Sequence, residues 1–241
     1  MPTDAAPPPL DRSCALFLDF DGTLTNFQLN PATVRLPDHG GETLRRVADR
    51  LDGALAIVSG RDARDLADRT PTDLWRAGGH GIEIVAPGAS PACAPPDAPT
   101  GLEAAIDAAA GPLGARVERK GPVLAIHYRA APAIGADLER ALAAALKNFP
   151  EYRLEGGKMV FETKPHDANK GRAVDALMAR APFAGRAPVF VGDDRTDEDG
   201  FEACARLGGR SVKVGEGDTT ATSRLAGPGD VWTWLKAFAA A

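Results

Sequence analysis

The chain has 241 residues, of which 44% are hydrophobic and 25% are charged, a composition typical of a soluble protein. That length can form a sizeable core, as one large domain or as two small ones. The net charge of −5 argues against a nucleic acid or an anionic membrane as the partner, and no apolar stretch is long enough to cross a bilayer.

The cysteines Cys14, Cys93 and Cys204 are widely spaced and form no CxxC motif. We interpret them as free thiols in a reducing compartment rather than as a disulfide framework or a zinc site. The first residues are rich in Pro and Ala and lack the basic and apolar regions of a secretory signal. We therefore expect residues 1–12 to form a disordered tail and the protein to be cytoplasmic.

The first predicted element is a short apolar strand at residues 15–18, which ends in two carboxylates, Asp19 and Asp21. Such a bounded run is typical of a buried parallel strand, which carries its chemistry at the carboxyl end. Residues two apart project from one face about 7 Å apart, so one carboxylate could contact a reacting atom while the other reaches the leaving group. Gly22 and Thr23 add a turn and a hydroxyl, although Asp-Gly turns are also common elsewhere.

The next segment alternates helices and strands. Apolar residues at helical spacing predict a helix over 42–51, an apolar run predicts a strand over 54–58, and a second helix is indicated over 62–68. A third strand region follows at 75–85. This order favours parallel strands joined by right-handed crossovers.

A stretch at residues 86–101 that is rich in Pro, Ala and Gly interrupts this alternation and has the composition of a linker. Beyond it the pattern predicts a helix, a hairpin, a second helix and a second hairpin, at 102–110, 117–129, 134–148 and 152–163. The second hairpin is expected to turn on Gly156 and Gly157. This order predicts a small antiparallel α+β cap domain inserted at residues 87–165.

The first pattern resumes after residue 165. Helices are predicted at 169–179, 198–207 and 231–239, and strands at 188–191 and 211–214. The core domain is therefore expected to be discontinuous, formed by residues 13–86 and 166–241. The predicted fold class is α/β, with a Rossmann-like, doubly wound parallel sheet and an inserted α+β cap domain.

Polar residues stand where predicted strands end or helices begin: Asp19 and Asp21, Ser59, Lys170, and Asp193, Asp194 and Asp197. In a doubly wound sheet these ends converge on one crevice. Converging carboxylates repel one another unless a cation joins them, and oxygen ligands without histidine favour a hard ion, Mg²⁺. A hydroxyl and an ammonium beside that cation are what a phosphoryl group requires.

Each of these features also has an ordinary structural explanation. Ser59 could belong to a plain turn, Lys170 could be a solvated helix residue, and the acidic run after Gly192 could be a helix start. Their occurrence together, in this order and each at an element boundary, favours a phosphoryl-transfer site.

Four parts of the chain resemble the four motifs of the haloacid-dehalogenase-like phosphatase superfamily: Asp19–Thr23, Ser59, Lys170 and Gly192–Asp194. The insert resembles the C2B cap of that superfamily. Further motifs resemble the bacterial trehalose-6-phosphate phosphatase family; they lie at residues 78–83, 120–121, 127–129, 157–158, 162–165 and 192–198. The resemblance spans the chain from about Ala15 to its end. It implies an Mg²⁺-dependent phosphatase whose substrate is trehalose 6-phosphate, a disaccharide phosphate. We expect it to be a monomer.

The resemblance also implies the roles of the core residues. Asp19 would attack phosphorus and form an aspartyl-phosphate, and Asp21 would protonate the departing sugar oxygen and then take a proton from water. Ser59 and Lys170 would bind the phosphate oxygens. Mg²⁺ would be held by Asp19, the backbone carbonyl of Asp21 and Asp193, with Asp194 and Asp197 behind them or orienting Lys170.

In the cap, period two places His127 and Arg129 on one face of a strand, and Lys158, Glu162 and Lys164 on one face of another. We therefore expect an apolar face for the cap helices and a polar face for the sugar, although solvated faces are common in antiparallel sheets. The predicted substrate-binding residues are Asp19, Asp21, Gly22, Thr23, Ser59, Gly60, Arg61, His80, Glu83, Lys120, His127, Arg129, Lys158, Glu162 and Lys164.

Other functions remain open at this point. The same cap class includes phosphatases for sucrose phosphate and mannosyl-3-phosphoglycerate, and a phosphomannomutase is a further alternative. A non-catalytic sugar-phosphate sensor would keep the fold, but the presence of both Asp19 and Asp21 argues against it.

Overall fold

A computed structural model describes residues 6–26, 28, 30–94, 96–157 and 159–240. The chain divides into two compact units, one formed by the segments up to Pro91 and from Asn169 onward, and the other by Ala92–Ala168. The boundaries predicted from the sequence, 87 and 165, lie a few residues before these. Within the described ranges, no helix is both long and apolar enough to cross a membrane.

The strands and helices alternate along most of the chain. In chain order the strands are β1 (Cys14–Leu18), β2 (Leu55–Val58), β3 (Trp75–Gly78), β4 (Glu83–Val85), β5 (Arg116–Lys120), β6 (Val123–His127), β7 (Tyr152–Gly157), β8 (Val160–Pro165), β9 (Ala187–Gly192), β10 (Arg210–Val214) and β11 (Ser223–Leu225). The α-helices are α1 (Gly40–Arg50), α2 (Ala63–Ala67), α3 (Leu102–Ala110), α4 (Gly135–Leu146), α5 (Lys170–Met178), α6 (Glu198–Arg206) and α7 (Pro228–Ala240).

The first unit is built on a seven-stranded sheet with the order β11-β10-β9-β1-β2-β3-β4. Strand β1 pairs in parallel with both β2 and β9, so that Leu18 lies beside Ile57 on one side and Val191 on the other. The strand order runs outward from β1 in one direction through β2 and β3, and in the other through β9 and β10. The topological switch point, where ligands bind in such sheets, therefore lies at the carboxyl end of β1.

The sheet is covered on both faces, as the apolar strand sequences require. All five residues of β1 and all four of β2 are buried, and helices pack in pairs, α1 with α7 and α5 with α6. A run of apolar residues, rather than alternation, is the pattern of a parallel strand with both faces covered. The predicted α/β class with a doubly wound sheet is confirmed.

One edge of this sheet differs from the prediction. Residues 75–85 were expected to form a strand region in the parallel sheet, but β4 runs antiparallel to β3. The reversal takes place in the 3-10 turn Gly79–Gly81, where both glycines have positive φ, 58° and 97°. Glycine adopts such angles at little cost, so the Gly-Gly-His-Gly sequence turns the chain back on itself.

The N-terminal segment also differs from the prediction. Residues 6–12 were expected to be disordered together with residues 1–5, which lie outside the described ranges. Pro8 is instead buried, and its carbonyl accepts a hydrogen bond of 3.2 Å from Nε1 of Trp234 on α7. Leu10 packs against the core. A hydrogen bond to α7 and the packing of Leu10 against the core therefore hold a segment whose composition alone is typical of disorder.

The second unit is a four-stranded antiparallel sheet with the order β5-β6-β8-β7, packed against α3 and α4. Its apolar face is formed by Leu124, Ile126 and Phe161, and these residues share a core with buried leucines of α4. The period-two alternation explains this arrangement, because every second residue of β6 and β8 faces the helices.

Two details of this unit correct the expected hairpins. Gly156 and Gly157 lie within β7, where they pair with Phe161 and Val160 of β8, so the turn is not centred on the glycines. Strand β6 ends at His127, because Ala131 N–H bonds back to the carbonyl of Tyr128 and starts a turn. Arg129 is therefore an exposed turn residue and not a strand neighbour of His127.

Candidate active site

Three of the predicted polar residues directly follow neighbouring strands, at the topological switch point of the sheet. Asp19 directly follows β1, and its N–H donates to the carbonyl of Val191 in β9 at 2.9 Å. Ser59 directly follows β2, and its N–H donates to Ala77 in β3 at 2.9 Å. Asp193 directly follows β9. Because the three strands are parallel and adjacent, their ends place these side chains at one edge of the sheet.

Lys170 joins two carboxylates at this edge. Its Nζ donates to Oδ1 of Asp19 and to Oδ1 of Asp197, each at 2.7 Å. All three side chains are buried, none more than 5% exposed. Lys170 is the first residue of α5, and the helix start is fixed by Asn169, whose side chain accepts from the N–H of Arg172. The lysine is therefore held in place, and the solvated-helix alternative for Lys170 is wrong.

The acidic run after β9 forms a tight loop around Asp197. Oδ2 of Asp197 accepts from the N–H groups of Asp193 and Asp194, both at 2.9 Å, while its Oδ1 is bonded to Lys170. Asp194 is exposed, and its side chain caps the following 3-10 helix, Arg195–Asp197. Of the two residues expected behind the metal ligands, Asp197 contacts Lys170 directly, and Asp194 shapes the loop.

Asp193 lies against the turn that follows β1. Its Oδ1 accepts a hydrogen bond of 3.2 Å from the hydroxyl of Thr23. Gly22 has a φ of 85°, and a Cβ built on it would fall 2.2 Å from Oδ2 of Asp193. Both the backbone conformation and the close approach of this carboxylate therefore require glycine at position 22.

The cluster is strongly acidic for a buried site. Burial raises the pKa of Asp19 well above its usual value, and Asp197 and Asp193 raise it further, against the opposing effect of Lys170. Burial and the neighbouring Asp197 raise the pKa of Asp193 to about 6. Burial alone would lower the pKa of Lys170, but Asp19 and Asp197 outweigh it and raise that pKa. The lysine therefore stays charged, and the carboxylates lack a full complement of positive charge.

This charge balance fits a divalent cation. One ligand oxygen from each of Asp19, Asp193 and Asp197 lies within 4.8 Å of the others. A single ammonium leaves two of their negative charges unbalanced when all three are ionised. The oxygens of Asp197 are already bonded to Lys170 and to backbone N–H groups, so Asp19 and Asp193 are better placed to hold a metal ion. Oxygen ligands alone are the donor set of hard divalent ions.

A second group of predicted residues surrounds Ser59. Its Oγ accepts from the N–H of Arg61 at 3.1 Å, and its carbonyl accepts from the N–H of His80 at 2.9 Å. A Cβ on Gly60 would lie 2.7 Å from the ring of His80, so glycine is needed for this contact. The structure thus brings Ser59, Gly60, Arg61 and His80 together.

Two of the predicted substrate-binding residues, Arg61 and Glu83, form ion pairs within the protein. Arg61 forms ion pairs with Asp21 and with Asp65, at 2.6 and 2.7 Å. Glu83 on β4 pairs with Arg64 at 2.9 Å. The ion pair between Arg61 and the candidate acid Asp21 was not indicated by the sequence pattern.

Lys213 is a functional candidate that the sequence reasoning missed. It lies on β10, is 4% exposed, and its Nζ donates to the backbone carbonyls of Asp193 and Val214. The lysine therefore anchors the loop that presents Asp193. The signal was available, because a lysine within the predicted apolar strand at 211–214 is unusual unless its ammonium has buried partners.

Four of the residues predicted to contact the sugar lie on the sheet face of the second unit opposite to the helices: Lys120, His127, Glu162 and Lys164. Glu162 lies between Ala125 of β6 and Glu155 of β7, and Lys164 pairs with Glu155 at 2.6 Å. Glu118 contacts His127 at 2.8 Å and Lys120 at 3.7 Å. Lys158 lies outside the described residues.

One part of the prediction for this face is wrong. Lys164 was expected on a polar face that is free to meet a sugar, but its side chain is fully buried. A buried ammonium requires a carboxylate partner, and Glu155 supplies it. Lys164 therefore carries its charge as half of an ion pair.

The chain matches the family model of trehalose-phosphatase over residues 17–228. It is 41% identical to the trehalose-6-phosphate phosphatase of Escherichia coli (strain K12) over 239 residues, which cover 95% of this chain and 88% of that protein. The solved structure of Aspergillus fumigatus trehalose-6-phosphate phosphatase is 28% identical, with a TM-score of 0.69 over 98% of this chain and 99% of that chain. A phosphatase of the haloalkanoate (HAD) enzyme superfamily from Bacteroides thetaiotaomicron shares the fold, with a TM-score of 0.62 at 16% identity over 92% of this chain and 94% of that chain.

Proposed function

Because the chain belongs to the trehalose-phosphatase family, we propose that it hydrolyses trehalose 6-phosphate to trehalose and phosphate. The observation that carries the proposal is the buried cluster of Asp19, Lys170, Asp193 and Asp197 at the switch point of the sheet. Such a site offers a nucleophilic carboxylate, an ammonium and oxygen ligands for a cation within a few ångströms. These are the groups that transfer of a phosphoryl group from a sugar requires.

The reaction proceeds in two steps on Asp19 and Asp21. In the first, a carboxylate oxygen of Asp19 forms a bond to phosphorus, the bond from phosphorus to the sugar oxygen breaks, and Asp21 gives that oxygen a proton. In the second, Asp21 takes a proton from a water molecule that attacks the aspartyl-phosphate, and inorganic phosphate leaves. Asp19 returns to its carboxylate form and Asp21 is again protonated.

Ser59 and Lys170 bind the transferred group. The hydroxyl of Ser59 donates to a phosphate oxygen, and the ammonium of Lys170 balances the negative charge that builds up on the phosphoryl oxygens. Lys170 is already oriented by Asp197, so little reorganisation is needed when the substrate binds. Asp19, Asp193 and the backbone carbonyl of Asp21 would hold Mg²⁺, which supplies further positive charge to the phosphoryl oxygens when bound.

Removal of the metal is expected to stop the reaction. Treatment with EDTA should abolish phosphate release, and added Mg²⁺ should restore it, because the acidic cluster needs a divalent cation to bring a phosphate dianion close.

Binding of Mg²⁺ should also depend on pH. Protons compete with the metal for the same carboxylate oxygens, and the pKa of Asp193 is raised to about 6 without metal. The rise in melting temperature on adding Mg²⁺ should therefore be large at pH 7.5 and should shrink as the pH falls below about 6. Full activity after exhaustive chelation would rule out the metal site.

The sugar is assigned to the polar face of the second unit. That face carries charged and polar side chains that can bond to hydroxyls, among them Glu162 and the partly exposed His127. A hydroxyl bonded to such a group contributes roughly 1.5–3 kcal/mol, so losing one contact costs about ten- to a hundredfold in kcat/KM. Glu162→Ala should lower kcat/KM for trehalose 6-phosphate by that factor and leave p-nitrophenyl phosphate hydrolysis nearly unchanged, because p-nitrophenyl phosphate has no sugar.

The control for this variant is Glu139→Ala, which removes an exposed carboxylate from α4 of the same unit. Both substrates should be hydrolysed at the wild-type rate by the control. An equal loss of both substrates in Glu162→Ala would assign Glu162 to the support of the fold, and no loss of either would assign this face to solvent.

The decisive measurement of substrate class is phosphate release from a panel of sugar phosphates. Trehalose 6-phosphate, sucrose phosphate and mannosyl-3-phosphoglycerate should be compared at equal concentration with Mg²⁺. We expect trehalose 6-phosphate to give a kcat/KM at least about tenfold above the others, since one correctly placed hydroxyl contact accounts for that factor. A preference for another member of the panel would overturn the substrate assignment and leave the phosphatase assignment intact.

A further inference from the structure

The carboxylate of Asp21 is held on both of its oxygens by one guanidinium. Nε of Arg61 donates to Oδ2 at 2.6 Å, and Nη2 of Arg61 donates to Oδ1 at 2.7 Å. This is the bidentate geometry in which arginine fixes the orientation of a carboxylate as well as its position. The guanidinium also lies over the buried ring of Phe20, 5.5 Å from its centroid, which limits its movement.

Arg61 is itself held by a second carboxylate. Its Nη1 donates to Oδ2 of Asp65 at 2.7 Å, while the other oxygen of Asp65 accepts from Nε and Nη2 of Arg69. The three residues are spaced four apart, which places their side chains along one side of α2 and its flanks. Asp65 therefore lies between two arginines and contacts both.

The chain of contacts ends on the backbone of the segment that follows Asp21. Nη1 of Arg69 donates to the carbonyl of Val34 at 2.7 Å and to that of Ala32 at 3.1 Å. The side chains of Arg69 and Arg61 are 7% and 12% exposed. The ion pair of Arg46 and Glu42 on α1 of the same unit is much more exposed, with side chains 64% and 69% accessible to solvent. The carboxylates of Asp21 and Asp65 are 29% and 35% exposed, so the path is partly buried. Each carboxylate is bonded by a largely buried guanidinium that holds its geometry, whereas a solvated pair contributes little.

We propose that Asp65 and Arg69 are positioning residues for Asp21, acting through Arg61. This proposal rests on the proposed function, in which Asp21 gives a proton to the leaving oxygen. The path Arg69–Asp65–Arg61–Asp21 joins the loop at residues 32–34 to the candidate acid, so the position of Asp21 depends on residues that do not touch the substrate. Each carboxyl oxygen has two lone-pair directions, so an oxygen that accepts from Arg61 can still carry the proton.

The test uses a change of leaving group. Phenyl phosphate and p-nitrophenyl phosphate have similar shapes, but nitrophenolate leaves as a stabilised anion and needs a proton much less than phenolate does. A misplaced acid therefore harms phenyl phosphate more. The quantity to measure is kcat/KM, which covers the steps up to transfer of the phosphoryl group to Asp19. A residue that only stabilises the fold would change both substrates by the same factor.

The variant is Asp65→Asn, in which the amide keeps one acceptor oxygen and turns a donor toward one of the two arginines, so one contact is lost in either orientation. We expect kcat/KM for phenyl phosphate to fall roughly 10- to 100-fold relative to that for p-nitrophenyl phosphate, the scale on which a displaced catalytic group lowers a rate. Glu42→Gln, the same change in an exposed arginine pair, is the matched control and should leave the ratio unchanged.

A second variant tests the same path in case Asp65→Asn does not fold. Arg69→Met removes the contact with Asp65 and with the loop, and Arg46→Met on α1 is its control. Melting curves establish which variants are folded at the assay temperature. A selective loss for phenyl phosphate in either folded variant supports the proposal, and equal loss or no loss in both overturns it.

Asp21→Asn, measured in parallel, separates this proposal from the proposed function. A selective loss in Asp21→Asn without one in Asp65→Asn or Arg69→Met overturns only the positioning path. If Asp21→Asn itself shows no selectivity between the two leaving groups, the role of Asp21 as acid fails, and the positioning proposal fails with it.

Discussion

Asp19→Asn is expected to abolish turnover while the protein stays folded. The amide oxygen can still accept the hydrogen bond that Lys170 donates to Asp19 at 2.7 Å, and the side chain keeps nearly the same shape in a site that is 4% exposed. An amide is not a nucleophile toward phosphorus, so the aspartyl-phosphate cannot form. We expect kcat to fall by about 10⁴-fold or more, as it does when the nucleophile of other covalent mechanisms is removed.

Two measurements check this expectation. Phosphate release from trehalose 6-phosphate gives the rate, and mass spectrometry of acid-quenched enzyme should find a phosphoryl group on the peptide that contains residue 19 only in the wild type. Asp49→Asn, an exposed carboxylate on α1, is the control and should behave like the wild type. Normal phosphate release from a folded Asp19→Asn protein would contradict the assignment of the nucleophile.

The sequence predicts the placement of the central residues well, for a physical reason. Asp19, Ser59 and Asp193 each follow directly after a short apolar strand, and parallel strands must end at the same edge of a sheet. The convergence of these residues is therefore determined by backbone topology, which local apolar runs reveal. Lys170 shares this property, because its place at the start of α5 follows from the asparagine cap before it.

The pairing of long side chains could not be predicted in the same way. Arg61 and Asp21 are 40 positions apart, and their contact depends on which of several carboxylates the guanidinium reaches after the fold has formed. Composition does not distinguish that outcome from a contact with substrate. The burial of Lys164 is similar, since period two assigns it to a face of β8 but gives no information on its exposure or on its ion pair with Glu155.

Turns that reverse the chain are a third kind of feature, which the sequence predicts only in part. The antiparallel course of β4 depends on positive φ angles at Gly79 and Gly81, and the turn of the second hairpin follows the glycines instead of containing them. Glycine permits many conformations, so its presence indicates a turn without fixing the turn's exact residues or the direction of the next strand.

Lys170→Met is expected to damage both catalysis and stability. Lys170 is 3% exposed and bonds to two buried carboxylates. Breaking such a group on one side leaves buried charge without compensation and typically costs about 3 kcal/mol or more of unfolding free energy. The loss of its charge from the phosphate site should also lower kcat/KM by about 100-fold or more.

The stability of this variant should depend on pH with a defined sign. Burial already raises the pKa of Asp19 above the ordinary value of 3.8, and removal of Lys170 takes away the group that opposes this rise. A carboxyl with a raised pKa in the folded state contributes stability that is complete below its ordinary pKa and is lost as the pH rises through the folded-state pKa. The difference in unfolding free energy between wild type and Lys170→Met should therefore be smaller at pH 5 than at pH 8.

Denaturant unfolding at the two pH values measures this difference, and phosphate release at a temperature where both proteins are folded measures catalysis. Lys236→Met removes an exposed lysine from α7 and should leave both quantities unchanged. A Lys170→Met protein with wild-type kcat/KM would show that the ammonium does not act on the phosphoryl group. A stability difference that grows as the pH falls would instead show that Lys170 is not the partner that keeps the buried carboxylates ionised.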